Sequence, residues 1–498
     1  MPLPRASGIL LHPTSLPGSF GVGDLGDPAY LFADFLAAAG QTYWQVLPLG
    51  PTGYGDSPYQ CFSAFAGNPL LVSPQRLVQQ GLLDPAGLEE LPAFPEDAVD
   101  FGWVIPWKTE LLRTSFNHFL SRALPARRDA FYFFCQDQAS WLDDYALFMA
   151  LKEEHEGAVW STWERPLAFR EPAALAAARQ RLSAAFQTQQ YLQWLFFTQW
   201  ADLRRYCNQR GLRIIGDIPI FVAYDSADLW ANPAAFYLDA DCRSTVVAGV
   251  PPDYFSATGQ LWGNPLYRWD VMAATGYAWW IRRIQASLNL VDLLRIDHFR
   301  GFAGYWEIPA GEPTAEKGRW VMGPGPDLFR AVEQALGKLP LIAEDLGIIT
   351  PDVDALRDQF TFPGMKVLQF AFASGPDNPH LPHNVKPNCL LYTGTHDNDT
   401  TAGWFTAAPA GEARYAGQYL NTTGQDIAWD LIRAAWASVA HTAVAPLQDL
   451  LSLGTEARLN YPSRAGGNWT WRFQPDALTG DLAGRLRELT AIYGRARP

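Results

Sequence analysis

The sequence predicts an α/β fold: a (β/α)8 TIM barrel with large insertions between strands and no C-terminal β-sandwich domain. Three observations predict it. Eight short, continuously apolar runs recur along the 498 residues, as expected for strands buried on both faces. Amphipathic helical patterns lie between them, which favours parallel strands with helical crossovers. Three of the runs end in carboxylates, and barrel active sites are built where the strands end.

The runs are 8–12, 42–47, 213–218, 290–296, 339–343, 365–370, 389–393 and 444–451; the last reads equally as helix. Among the helical stretches, 28–39 is rich in Ala and Phe and ends before Gly40. Stretch 183–210 puts Leu192, Leu195, Phe196, Leu203 and Tyr206 on one face and stops at Gly211. Stretch 276–290 precedes the fourth strand, and 425–440 is amphipathic. Thr350-Pro351-Asp352 reads as a helix start, with a capping hydroxyl, proline at the first position and an acid in the first turn. A barrel of this type takes about 250 residues, half of this chain. The excess falls in three places: a mainly helical insertion at 65–180 between strands two and three, an insertion at 225–275 with an aromatic loop, and a smaller one at 301–325 after strand four.

Composition narrows the function. Hydrophobic residues make up 48% and charged residues only 18%, which argues against a disordered chain. A net charge of −13 repels phosphate backbones, so no nucleic-acid partner is expected. No apolar run is long enough to span a membrane. The first seven residues lead straight into a strand, leaving no room for a leader. Cys61, Cys135, Cys207, Cys242 and Cys389 are far apart and form no CxxC, which fits buried thiols in a reducing cytoplasm. The 20 Trp, 19 Tyr and 29 Phe mostly fill a large core, but such an excess also suits stacking on the CH face of a pyranose.

Three motifs carry the chemistry. In Arg295-Ile296-Asp297-His298-Phe299-Arg300, Arg295 and Asp297 share a strand face. The guanidinium is expected to lower the Asp297 pKa and keep it ionised, as a nucleophile must be. His298 and Arg300 would add donors for sugar hydroxyls. Glu344 follows the apolar Leu341-Ile342-Ala343, where poor solvation raises a carboxyl pKa as a proton donor requires. Asp345 competes for that role or caps the next turn. Asp397, beside His396, could grip adjacent ring hydroxyls, or it could cap a loop as an Asx residue. Asp217, at the end of strand three, is expected to organise Arg295 and the site rather than to react, and is counted among the substrate-binding residues. The His380/His383 pair lacks metal-ligand spacing. An ionised Asp paired with a protonated Glu implies retaining glycosyl transfer, for which the carboxyls must stand about 5–5.5 Å apart.

With these motifs in place, the chain resembles the amylomaltases, the 4-alpha-glucanotransferases or disproportionating enzymes of the alpha-amylase clan. The resemblance runs essentially end to end through segments 7–18, 51–59, 216–223, 249–256, 259–263 and 467–472 as well as the three motifs. It implies Asp297 as nucleophile, Glu344 as acid/base and Asp397 as transition-state stabiliser. It implies that Arg295, His298 and His396 contact the sugar beside the scissile bond, that Tyr59 stacks beneath it and that Ser57 adds a hydroxyl. Asp253, Tyr254, Phe255 and Trp262 would lie over the acceptor side. Tyr54 would mark a second glucan groove with Phe101 as its aromatic companion. Leu459 and Ser463 depart from the family pattern, where Met and Gly are frequent.

The expected reaction is transfer of an α-1,4-glucan segment from a maltooligosaccharide or amylose to the 4-hydroxyl of another glucan or of glucose. The expected protein needs no cofactor or metal, touches no membrane, and is a monomer or weak homo-oligomer. The alternatives are an α-glucan hydrolase using the same residues and a non-catalytic glucan-binding protein.

Overall fold

Alternation within the apolar runs builds two layers. Ala6, Leu10, Ile215, Leu293, Ile342 and Val444 point into one core. Their neighbours Ile9, Ile214, Leu294, Ala343 and Ala443 pack outward against helices in another. The protein is described by a computed structural model covering residues 3–252, 256–462, 464 and 466–496. Its strands are β1 (Ala6–Leu10), β2 (Tyr43–Gln45), β3 (Arg213–Pro219), β4 (Leu293–Asp297), β5 (Leu341–Ala343), β6 (Gly364–Val367), β7 (Cys389–Tyr392) and β8 (Thr442–Pro446).

They pair in parallel in the spatial order β6-β7-β8-β1-β2-β3-β4-β5. The β5–β6 seam closes the ring. Ala343 N–H donates to the Pro363 carbonyl at 2.9 Å, and Met365 N–H donates to Asp345 Oδ1 at 2.7 Å. Arg357 and Lys366 also pair with Asp345.

The expected helices form as Asp27–Ala38, Ser183–Gln209, Ala278–Leu290, Pro351–Gln359 and Ile427–Ala437. Thr350 departs from expectation: its side chain makes no capping bond, although Pro351 opens the helix and Asp352 lies in the first turn. The eighth run splits. Its strand starts two residues early, ends at Pro446, and gives way to a short helix, Leu447–Leu450.

Between β2 and β3 the described residues include helices Phe101–Arg122, Pro125–Asp137, Ala139–Glu154 and Pro172–Arg181. Phe119, Phe131, Tyr191 and Trp194 interlock there, so these rings are core. Strands Val246–Val250 and Gln260–Pro265 join Gly304–Pro309 and Arg319–Met322 in one antiparallel four-stranded sheet. Segments treated separately in the sequence thus form a single structure beside the barrel mouth.

Candidate active site

The site follows from register. Arg295 on β4 stands opposite Ile342 on β5, and Ile296 opposite Ala343. One step further puts Asp297 beside Glu344, and the Glu344 N–H donates to the Ile296 carbonyl at 3.1 Å. On the other flank, Asp217 of β3 faces Arg295. Three acids and one guanidinium therefore converge at the C-terminal ends of three adjacent strands, whose spacing is about 4.8 Å.

Arg295 is buried and forked. Nη1 pairs with Asp217 and Nη2 lies 2.9 Å from Asp297 Oδ1. Asp217 has no exposed side-chain surface, and its Oδ2 also accepts from the Tyr59 hydroxyl at 2.8 Å. It therefore positions Arg295 and Tyr59 from beneath the site rather than presenting a free oxygen to the cleft. Asp297 corrects the sequence-based expectation: burial lifts its pKa to about 6, outweighing Arg295, which pulls it down. Glu344 is lifted further, to about 8, by burial and then by the charge on Asp297. Its oxygens accept from the His298 N–H at 2.7 Å and the Leu346 N–H at 2.8 Å. Asp345, the competitor, faces the other side of β5 and is consumed by the barrel seam.

Asp397 is open to the cleft. Its Oδ1 accepts from Asn460 Nδ2 at 2.6 Å, and its Oδ2 lies 3.4 Å from His396 Nε2. The loop-capping Asx residue is Asn398, whose Oδ1 accepts from the Thr395 N–H and hydroxyl, both at 2.9 Å. Tyr59 stacks on the His396 ring at 5.0 Å and 17°. Trp262 meets His298 edge-on at 4.7 Å. His298 adopts φ 55°. Burial and then Arg300 lower its pKa to about 3, so it is neutral. Its Nε2 is buried with no partner among the described residues.

A cleft of about 1760 Å³, including open solvent, joins Tyr54, Ser57, Tyr59, Trp262, Asp297, His298, His396 and Asp397. Asn460 and Trp469 also line it. Sequence reasoning gave them no role; the signal lay in segment 467–472, which holds Trp469, and in Leu459, which Asn460 follows. Asp253, Tyr254 and Phe255, and likewise Ser463, lie outside the described residues. Two expectations fail. Phe101 is only 8% exposed, packed with Val22, Leu47 and Leu459, so it has no free face for a glucan, whereas Tyr54 is 76% exposed. Arg300 is buried, donates to the Gly304 and Ile348 carbonyls and packs on the Trp320 ring, so it is turned to the protein rather than to sugar hydroxyls.

The family model described as 4-alpha-glucanotransferase, of the glycoside hydrolase 77 type, matches residues 11–479. The chain belongs to the 4-alpha-glucanotransferase family. It is 53% identical to the 4-alpha-glucanotransferase of Synechocystis over 495 residues, covering 99% of this chain and 98% of that one. It is also 53% identical to the Thermus thermophilus 4-alpha-glucanotransferase, covering 99% and 100%. Among solved structures, the amylomaltase from Streptococcus agalactiae in complex with acarbose superposes with a TM-score of 0.96 at 39% identity, covering 99% of this chain and all of that one.

Proposed function

We propose that this chain is a 4-alpha-glucanotransferase acting by retaining double displacement, with Asp297, Glu344 and Asp397 as its catalytic residues. Asp297 attacks the anomeric carbon and forms an ester bond as the glycosidic C–O bond breaks. Glu344 gives its proton to the departing oxygen. The acceptor 4-hydroxyl then attacks the same anomeric carbon, giving its proton to Glu344, as the bond from that carbon to the Asp297 oxygen breaks and frees the carboxylate.

One observation carries this reading: the Asp297 and Glu344 carboxyls stand one step beyond the β4–β5 register, where burial raises both, to about 6 and about 8. Near neutrality one is ionised and the other protonated, the division the reaction needs. A strand spacing of about 4.8 Å also suits the 5–5.5 Å separation of retaining enzymes. Asp397 and His396 would bind ring hydroxyls, with Arg295 orienting the nucleophile. Tyr59 and Trp262 would give the sugar apolar faces, and Ser57 and the free His298 nitrogen would add polar contacts. Tyr54 would extend the cleft toward a further glucan-binding surface. The donors would be maltooligosaccharides or amylose, and the acceptors glucans or glucose. The five free thiols support a reducing, cytoplasmic setting.

Incubation with maltotriose alone tests the reaction. A ladder of longer maltooligosaccharides plus glucose, with little gain in reducing ends, is expected. A steady rise in reducing ends with only glucose and maltose would replace transfer with hydrolysis.

A further inference from the structure

Trp320 is 45% exposed although it sits within a strand. Single exposed apolar side chains are common, but this one is held in place. The Arg300 guanidinium lies 3.9 Å from its ring centroid. Trp306, its register partner, meets it at 5.3 Å and 67°. Met322, two residues along and therefore on the same strand face, is exposed as well. The row continues across the sheet, since Trp306 faces Gly249 and Gly249 faces Leu261. Leu261 lines the cleft.

A second connection runs to the chemistry. Arg300, which packs on Trp320, donates to the Ile348 carbonyl. Ile348 is itself 49% exposed and lies four residues beyond Glu344, at most ~14 Å of extended chain. One preorganised indole, one exposed isoleucine and the proton-donor loop are thus tied together by a single buried guanidinium.

We infer that Trp320 is a remote acceptor subsite, a platform on which a glucosyl unit well beyond the bond-forming 4-hydroxyl stacks its CH face. The inference rests on the glucanotransferase reading. Glu344 protonates the oxygen of the departing segment, and the acceptor enters by the same side, so surface beyond the Glu344 loop belongs to acceptors. An indole already held on a strand loses little freedom on binding, and its apolar face suits the CH face of a pyranose.

The test compares acceptors at fixed donor. In the wild type, the acceptor KM should fall as the acceptor lengthens from glucose through maltotriose to maltoheptaose. Trp320→Ala should shrink the advantage of maltoheptaose over glucose, and Trp320→Phe should restore most of it. Equal changes for glucose and maltoheptaose, no change for either, or an effect on donor length alone would overturn the proposal. The wild-type length series stands without any variant: a KM independent of acceptor length overturns it too. Failure of the wild type to transfer to any acceptor is a separate result and removes the glucanotransferase reading itself.

Discussion

Arg295 is the residue on which the division of labour turns. One nitrogen neutralises Asp217, which never meets solvent, and the other orients Asp297, which faces the cleft. Asp297 titrates near 6 and Glu344 near 8. These interacting carboxyls titrate as a pair, so kcat/KM should follow a bell with limbs near those values. Glu344→Gln should cut kcat by roughly 10²–10⁴-fold and abolish the alkaline limb of what remains. An alkaline limb that survives would assign it to another group. The same carboxyl gives a stability signature. Its folded pKa lies far above the ordinary value of about 4.3, so between roughly pH 4 and 8 the unfolded chain binds fewer protons and stability falls as pH rises. Gln cannot ionise, so melting temperatures measured from pH 4 to 8 should shift progressively in favour of Glu344→Gln. A constant difference would mean that Glu344 is not held protonated.

At the level of elements, β5 separates adjacent acids by alternation alone. Glu344 turns inward to the mouth, while Asp345 turns outward to Arg357, Lys366 and the Met365 N–H. Asp345→Asn should therefore weaken the β5–β6 seam by about 1–3 kcal/mol, read as a lower melting temperature. Its kcat should stay within roughly tenfold of the parent, unlike that of Glu344→Gln. A catalytic collapse without destabilisation would reverse the two assignments. Gly364→Ala probes the same seam, because a Cβ there would meet Asp345 Oδ2 at 2.5 Å. The strands and carboxylate positions were legible because two-sided burial writes continuous apolar runs and period two assigns faces. The end of β8 was not: 444–451 is apolar throughout, and a buried strand followed by a buried helix has no change of period to read. Phe101 and Arg300 were misjudged for a related reason. Residue type says what a side chain can contact, but its covering comes from segments distant in sequence. The Asp297 pKa was misjudged because the adjacent Arg295 is visible in sequence and the degree of desolvation is not.

Across the whole molecule, the chemistry and the tie between the two chain ends sit at opposite ends of the barrel. The reacting acids stand where β4 and β5 finish. At the other end, Arg495 is fully buried and donates to the carbonyls of Ala6, Trp436, His441, Ser438 and Ala440. It ties the starts of β1 and β8 to the segment after helix Gly480–Ile492. No carboxylate pairs with it among its bonds in the described residues, and burial followed by the charge of Arg5 lowers its pKa to about 9. Several carbonyls thus share one cation. Trp436 and Ser438 keep a donor from Arg5, and His441 keeps the Ala6 N–H, so removing Arg495 costs about 1–3 kcal/mol only for each carbonyl that stays unsatisfied. Arg495→Met keeps much of the aliphatic volume while removing every donor. It should lower the melting temperature clearly yet leave kcat/KM for maltotriose disproportionation close to that of the parent when assayed well below the transition. Arg495→Lys should recover only part of the loss, because one ammonium offers three donors where the fork offers five. The bottom of such barrels governs stability and the top governs chemistry. A fall in kcat/KM at low temperature, with the melting temperature unmoved, would contradict that separation here and would mean that strain at the β1–β8 junction reaches the β4–β5 mouth.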